Sequence, residues 1–188
     1  LSDLWHGLSL QLLAYLAVVN EYKELLVKDG AACIGIGALY FGIYRPYERV
    51  DNPLPTVQSE KPIKLDGLFV ADKELYELMG GQSLVYAALN KDGSFSKMSR
   101  VVAFEQLQQL LHFLKLKIIE IGTMLQAGRI EAAPYKKPNG LRACTYCPYM
   151  PVCCFDITVV GNQYRLLPTI STESVLQNIG RQLEGASL

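Results

Sequence analysis

The chain has 188 residues, of which 50% are hydrophobic and 19% are charged, and its 18 basic residues balance its 18 acidic ones. This length fits one domain, or one domain with an appendage, and the composition excludes wholesale disorder and collagen-like or low-complexity structure. Zero net charge gives no bulk electrostatic argument for binding a nucleic acid or a membrane, so any partner has to be inferred from motifs.

The first half of the chain predicts a helix, a strand and a long loop. Apolar residues three or four apart predict a helix over residues 8–28, which Gly30 is expected to close. The apolar run over residues 33–44 contains branched, aromatic and glycine residues and predicts a buried central strand, with the glycines giving close backbone approach to a neighbour. Prolines and charges predict a surface loop over residues 45–64.

The second half predicts one long helix among short elements. Apolar residues three or four apart over residues 103–127, followed by Gly128, predict an amphipathic helix. Asp72 is expected to cap a short helix that runs through Met79. The other predicted elements are a strand at 67–70, a hairpin turn at 91–94, a strand at 164–167 and a terminal helix at 171–183.

Four of the five cysteines crowd between Cys144 and Cys154, which favours metal binding over cross-linking and predicts a reducing environment. Cys144, Cys147 and Cys153 form a C-x2-C-x5-C pattern, whose first turn presents two thiolates to one metal. Tetrahedral zinc and a four-iron cluster both need four ligands, and the spacing does not separate them. Cys154, Cys33 or a residue outside this chain could supply the fourth, while four small buried hydrophobes are the plain alternative.

Two further groups of polar residues stand out, and each has an ordinary alternative. Gln11 and Tyr15 lie four residues apart on one face of the first predicted helix, where the polar edge of an apolar stripe would look the same. Beside the cysteines, positive charge gathers in a segment that could contact phosphate or could be a solvated loop. Its cations are Arg129, Lys136, Lys137 and Arg142.

Together these residues resemble a known family of DNA-processing enzymes. The run at residues 7–16 is similar to the Q-x-x-x-Y motif of RecB-type nucleases of the PD-(D/E)XK superfamily. Residues 128–156 resemble the C-terminal end of the AddB (RexB-like) proteins of bacterial AddAB helicase-nucleases. Shorter stretches that also fit are residues 38–41, 64–68 and 92–96. The resemblance implies processing of DNA ends in double-strand break repair, with DNA and an AddA-like helicase-nuclease subunit as partners.

The resemblance also implies roles for individual residues. It places Gln11 near the catalytic carboxylates and their metal, and it brings Tyr15 to the DNA backbone. The cations Lys136, Lys137 and Arg142 become candidates for DNA binding. A [4Fe-4S] cluster is expected on Cys144, Cys147 and Cys153, with a fourth ligand upstream of this chain, and Cys154 is incidental.

The acidic residues that would cut DNA are not recognised in this chain. In the family an Asp, a second acid and a Lys precede the Q-x-x-x-Y helix and serve a Mg²⁺ ion. The E-x-K pattern of Glu21 and Lys23 falls in the predicted helix and is expected to be a surface charge pair. We therefore expect a C-terminal portion of a longer protein, inactive alone, with Mg²⁺ serving the intact parent and any cluster labile.

The predicted fold is α/β, a partial PD-(D/E)XK core of helices on a small mixed sheet with an irregular C-terminal cysteine loop. The expected domains are residues 1–128, the cysteine segment 129–170 and a terminal tail 171–188. A Cas4-like or other RecB-family iron-sulfur nuclease and a non-catalytic metal-binding interaction module remain alternatives. The sequence predicts no membrane span and no secretory signal, hence a cytoplasmic protein.

Overall fold

The computed structural model describes residues 1–27, 33–43 and 64–186. The chain divides into two compact units. The first, here called the tail unit, comprises residues 1–10 and 112–188, and the second, the sheet unit, comprises residues 11–111. The predicted domain boundaries at residues 128 and 170 stay a prediction.

The sheet unit is built on a three-stranded mixed sheet in the order β1-β2-β3. Strand β1 (Gly37–Tyr40) pairs antiparallel with β2 (Asp66–Val70), which pairs parallel with β3 (Val101–Val102). A Cβ atom added at Gly37 would lie 2.5 Å from the Cβ of Phe69, so glycine is required where these strands meet. The sheet confirms the predicted α/β class, and β2 confirms the strand expected at 67–70.

The prediction of a buried central strand over residues 33–44 is wrong. Among the described residues, β2 takes the central place and β1 lies at the edge of the sheet. Tyr40 and Phe41 are more than half exposed. An apolar run indicates that a segment forms a strand, but it does not indicate whether the strand has neighbours on both sides. For this reason the sequence predicted a central position for a strand that lies at the edge. Tyr44, Gly30 and the predicted loop at 45–64 lie outside the described residues, except for Lys64.

The first predicted helix is real but shorter and interrupted. Helix α2 (Gln11–Glu21) is followed by α3 (Lys23–Leu26), with Tyr22 between them in a non-helical conformation. Ser9, just before α2, has a φ of 53°, a left-handed conformation that a continuing α-helix does not contain. The helix therefore begins three residues later than its apolar spacing predicts.

Helix α4 (Lys73–Leu78) confirms the predicted cap and stop. The carboxylate of Asp72 accepts a hydrogen bond from the amide of Leu75 at 3.0 Å, as an N-cap does. Gly80, just after the helix, has a φ of 89°. The turn at 91–94 is also present, but it joins a single bridge rather than two full strands.

Aromatic rings form the core of the sheet unit beside β2. The ring of Tyr76 lies 6.4 Å from that of Phe69 and 5.4 Å from that of Phe95, with Val85 buried among them. The Tyr76 hydroxyl donates to the carbonyl of Ala87 at 2.8 Å, so this buried polar group is satisfied. Burial raises the pKa of Tyr76.

Helix α5 (Phe104–Gln126) confirms the long amphipathic helix predicted over residues 103–127. Gly128, close after it, has a φ of 68° and ends the element. Side chains three or four apart along α5 are buried, as its periodicity requires: Leu107, Leu110, Leu111, Phe113 and Leu114. No helix within the described ranges is long and apolar enough to cross a membrane.

The tail unit combines short helices with a two-stranded parallel sheet. Besides residues 112–126 of α5, its elements are α1 (Ser2–Trp5), β4 (Tyr135–Lys136), α6 (Met150–Cys153), β5 (Arg165–Leu166) and α7 (Thr172–Ala186). Strand β5 and helix α7 confirm the last two predicted elements, whereas α1 was not predicted because four residues are too few for a periodic signal.

Contacts far apart in sequence hold α1 within the tail unit. The ring of Trp5 stacks on that of Phe113 with centroids 5.5 Å apart. Polar bonds add three further contacts: the amide of Ile170 to Ser2 Oγ at 3.1 Å, His6 Nε2 to the carbonyl of Pro168 at 2.9 Å, and Lys137 Nζ to the Asp3 carboxylate at 2.8 Å. Residues 1–10 therefore fold with the C-terminal segment.

Candidate functional site

Gln11 and Tyr15 lie on an exposed face of α2 and contact each other. Gln11 Nε2 donates a hydrogen bond to Tyr15 Oη at 2.7 Å, and the tyrosine is 61% exposed. Leu13 and Leu16 point to the opposite side and are buried. The i, i+4 spacing therefore gives the shared face that the sequence predicts, with both polar groups available to a partner.

Helix α2 is held firmly against the segment that leads into β1. Asn20 Oδ1 accepts from the amide of Gly35 at 2.6 Å, and its Nδ2 donates to the carbonyl of the same residue at 3.2 Å. A Cβ atom on Gly35 would lie 2.7 Å from Leu16 Cδ1, so the close approach predicted for the glycines is confirmed here. These contacts fix the rotation of α2 and hence the direction of its polar face.

The E-x-K pattern does not lie on a strand. Glu21 is the last residue of α2 and Lys23 is the first of α3, and both are exposed. A nuclease carboxylate and lysine of this type would need neighbouring positions on a strand of the sheet. The structure thus confirms that Glu21 and Lys23 do not form that constellation.

The cysteine loop is a succession of tight turns. Cys144 lies in a 3₁₀ turn (Ala143–Tyr146), and the amide of Cys147 donates to the carbonyl of Cys144 at 3.3 Å. Cys153 ends α6, where its amide donates to the carbonyl of Tyr149 at 2.8 Å. The backbone therefore follows the C-x2-C-x5-C spacing with a hydrogen-bonded turn at each interval.

The thiols are free and differ in exposure. Cys144 and Cys147 are half-buried, whereas Cys153 and Cys154 are exposed, and all the cysteines are free. Within residues 1–27, 33–43 and 64–186, no three Cys, His, Asp or Glu side chains are grouped so that they could hold a metal ion. These thiol positions offer no site for a single metal ion, and the predicted four-iron cluster stays a prediction.

Two of the predicted DNA-binding cations meet at one aromatic ring. Lys136 Nζ lies 5.8 Å from the ring centroid of Tyr164, and Arg142 Nη1 lies 3.4 Å from its hydroxyl. The ring of Phe155 packs against Tyr164 with centroids 5.1 Å apart. Sequence reasoning missed Tyr164 because its partners are not neighbours in the chain, and no local pattern marks it.

The third predicted cation, Lys137, is engaged within the fold. Its ion pair with Asp3 joins α1 to the cysteine segment, and the Lys137 side chain is 20% exposed. Arg129 pairs with Glu131 at 3.5 Å.

Near the end of the loop, the amide and hydroxyl of Thr158 hold the pKa of Asp156 below its usual range, so this carboxylate stays charged.

Comparison with known proteins identifies the family. The sequence profile of the PD-(D/E)XK nuclease superfamily matches residues 1–154. The chain belongs to the PD-(D/E)XK nuclease superfamily. The match to the superfamily includes Gln11, Tyr15 and the cysteines of the loop through Cys154.

Three curated relatives of this superfamily member carry the same name. The chain is 36% identical over 191 residues to the B subunit of the ATP-dependent helicase/deoxyribonuclease of Pelotomaculum thermopropionicum. It is 33% identical over 195 residues to the protein of that name in Bacillus thuringiensis strain Al Hakam, and 32% identical to that of Bacillus anthracis. These alignments cover 96–98% of the chain, which spans only 16–17% of the length of the relatives.

Proposed function

We propose that this chain is the C-terminal nuclease portion of a helicase-nuclease protein that processes DNA ends during double-strand break repair by recombination. The observation that carries the proposal is the alignment of 96–98% of the chain with relatives named as the B subunit of an ATP-dependent helicase/deoxyribonuclease. The same relatives favour a helicase-nuclease component over the Cas4-like and interaction-module alternatives. DNA and an AddA-like helicase-nuclease subunit are the proposed partners, in the cytoplasm.

The Gln11–Tyr15 pair supports a role in holding the DNA backbone. Because the Gln11 amide donates to Tyr15 Oη, one acceptor site of the phenol is occupied and its own proton is free to donate outward. A phosphate oxygen is a suitable acceptor for that proton, and contacts of this kind set the register of DNA without reading its sequence. Tyr15 is therefore the proposed phosphate contact and Gln11 the residue that orients it.

A second backbone contact is proposed at the ring of Tyr164 in the tail unit. Lys136 and Arg142 are both exposed, and both contact Tyr164, Lys136 over the ring face and Arg142 at the hydroxyl. These contacts hold the two positive charges close together. Fixed cations lose less freedom on meeting a phosphate than free ones do. Lys137 contacts phosphate in this proposal only after its ion pair with Asp3 has broken.

Metal chemistry belongs to the intact protein in this proposal. Mg²⁺, held by carboxylates outside this chain, would supply the activated water. A [4Fe-4S] cluster would use Cys144, Cys147 and Cys153 with a fourth ligand elsewhere, and its support is the cysteine spacing and the turns that follow it.

A chimera tests the proposal. This chain replaces its aligned stretch in the Pelotomaculum thermopropionicum relative, and the chimera is assembled with a partner subunit whose own nuclease activity has been removed. We expect Mg²⁺-dependent degradation of linear DNA by the chimera and no such degradation by the purified 188-residue chain alone. A chimera that unwinds DNA but does not cut it would contradict the proposal, as would cleavage by the isolated chain that a substitution within it abolishes.

A further inference from the structure

The sheet unit contains an open cleft that the proposed contacts do not use. Its volume is about 510 Å³, and its lining includes Lys64, Asp66, Tyr86, Met98 and Arg100. These residues come from the start of β2 and from the segment that precedes β3. Among the described residues, the lining combines an aromatic ring, a thioether, cations and one carboxylate.

Main-chain and hydroxyl bonds fix the walls of the cleft. The amide of Leu65 donates to the carbonyl of Leu84 at 2.7 Å, and the amide of Tyr86 donates to the carbonyl of Leu65 at 3.1 Å. Ser99 Oγ accepts from the amide of Ala88 at 3.0 Å and donates to its carbonyl at 3.2 Å. The two walls are therefore preformed, and a ligand does not have to order them.

One wall presents an aromatic face. Tyr86 is 59% exposed although its chain neighbours Val85 and Ala87 are buried, so a rigid backbone holds the ring in solvent. Lys64 Nζ lies 5.8 Å from the centroid of this ring, and the exposed Met98 lines the same cleft. An exposed ring on a rigid support is what a nucleic-acid base stacks on, because every base has an apolar face.

The other wall presents donors for phosphate. Both hydrogen bonds from Arg100 to the Asp66 carboxylate, at 2.6 and 2.7 Å, come from Nη1. Nε and Nη2 are donors that Asp66 does not use. Lys64 adds a second cation, so among the described lining residues positive charge exceeds the one carboxylate.

We propose that this cleft binds one unpaired nucleotide of single-stranded DNA, with the base on Tyr86 and a phosphate near Lys64 and Arg100. The inference rests on the proposed DNA-processing function and adds to it a contact that only a single strand can make. A paired base keeps its faces inside the duplex stack and cannot reach the ring. The site thus favours a strand that has already been unwound.

The test measures binding of the 188-residue chain to a fluorescein-labelled oligonucleotide of mixed sequence by anisotropy. Tyr86→Ala should weaken binding about tenfold, since it removes one stacking platform, whereas Tyr86→Phe keeps the ring and the affinity. Tyr40→Ala is the matched control, because it removes a ring of similar exposure in the same unit. Lys64→Gln should lower the slope of log affinity against log salt by about 0.7. Thermal melts confirm that each variant is folded.

The outcomes separate this inference from the proposed function. Loss of affinity in Tyr86→Ala alone, with binding to a hairpin duplex unchanged, supports the cleft. Equal affinity of Tyr86→Ala and the unmodified chain overturns the cleft but leaves the chimera experiment intact. Absence of any binding by the unmodified chain in large excess over the label also overturns the cleft, while the proposed function is still decided by cleavage in the chimera.

Discussion

Helix α2 and the cysteine loop each carry a family motif, but the side chains of the motif contact each other only on α2, among the described residues. On α2 the helical repeat converts a spacing of four residues into a hydrogen bond between Gln11 and Tyr15. In the loop the spacing produces turns, but the sulfurs of Cys144 and Cys147 do not meet a third ligand among the described residues. A regular element fixes side-chain direction by itself, whereas a loop needs a bound group to do so.

The largest effect is expected from cysteine substitutions in the chimera. Cys147→Ser should abolish most of the iron-sulfur absorbance of the chimera, because a four-iron cluster that loses a thiolate ligand is weakly bound. Cys154→Ser is the matched control and should keep its iron, since its Sγ is engaged with the carbonyl of Pro151 at 3.2 Å. Iron and sulfide content measured under anaerobic conditions checks both. Equal loss from the two variants would refute the assignment of the ligands.

The next effect concerns what holds α2 in place. Leu16→Ala should lower the free energy of unfolding by about 3 kcal/mol, because Leu16 is 4% exposed and its removal leaves a cavity beside Gly35. Val18→Ala on the same helix is 56% exposed before the change and should cost less than about 0.5 kcal/mol. Urea unfolding followed by circular dichroism measures both. Similar costs for the two variants would mean that α2 does not depend on its buried face.

The smallest effect concerns the exposed face of α2. In the chimera, Tyr15→Phe should lower kcat/KM for DNA cleavage about tenfold, which is the loss of one hydrogen bond to a charged group. Tyr22→Phe is the control, because Tyr22 is 58% exposed and lies just after α2. Gln11→Ala should reproduce part of the Tyr15→Phe loss by releasing the phenol. If Tyr15→Phe behaves like Tyr22→Phe, the hydroxyl does not contact the phosphate.

The sequence predicted the elements that have a strong local cause. The periodicity over residues 103–127 became α5, and Asp72 capped α4 as its side-chain chemistry requires. It failed at β1, which lies at the edge because its distant neighbour β2 takes the centre, and at the start of α2, which the left-handed backbone of Ser9 delays. The convergence of two cations on Tyr164 belongs to this second class, since no local pattern encodes it.

The tail unit joins residues 1–10 to residues 112–188, with hydrogen bonds that span 162 and 168 positions of the chain. During translation, His6 and Ser2 leave the ribosome long before Pro168 and Ile170 are made. Closing so large a loop costs entropy before any contact is gained, so such pairings form late. Completion of this unit therefore reports that synthesis has passed the cysteine segment, and a ribosome that stalls earlier leaves Ser2 and His6 without these hydrogen-bond partners.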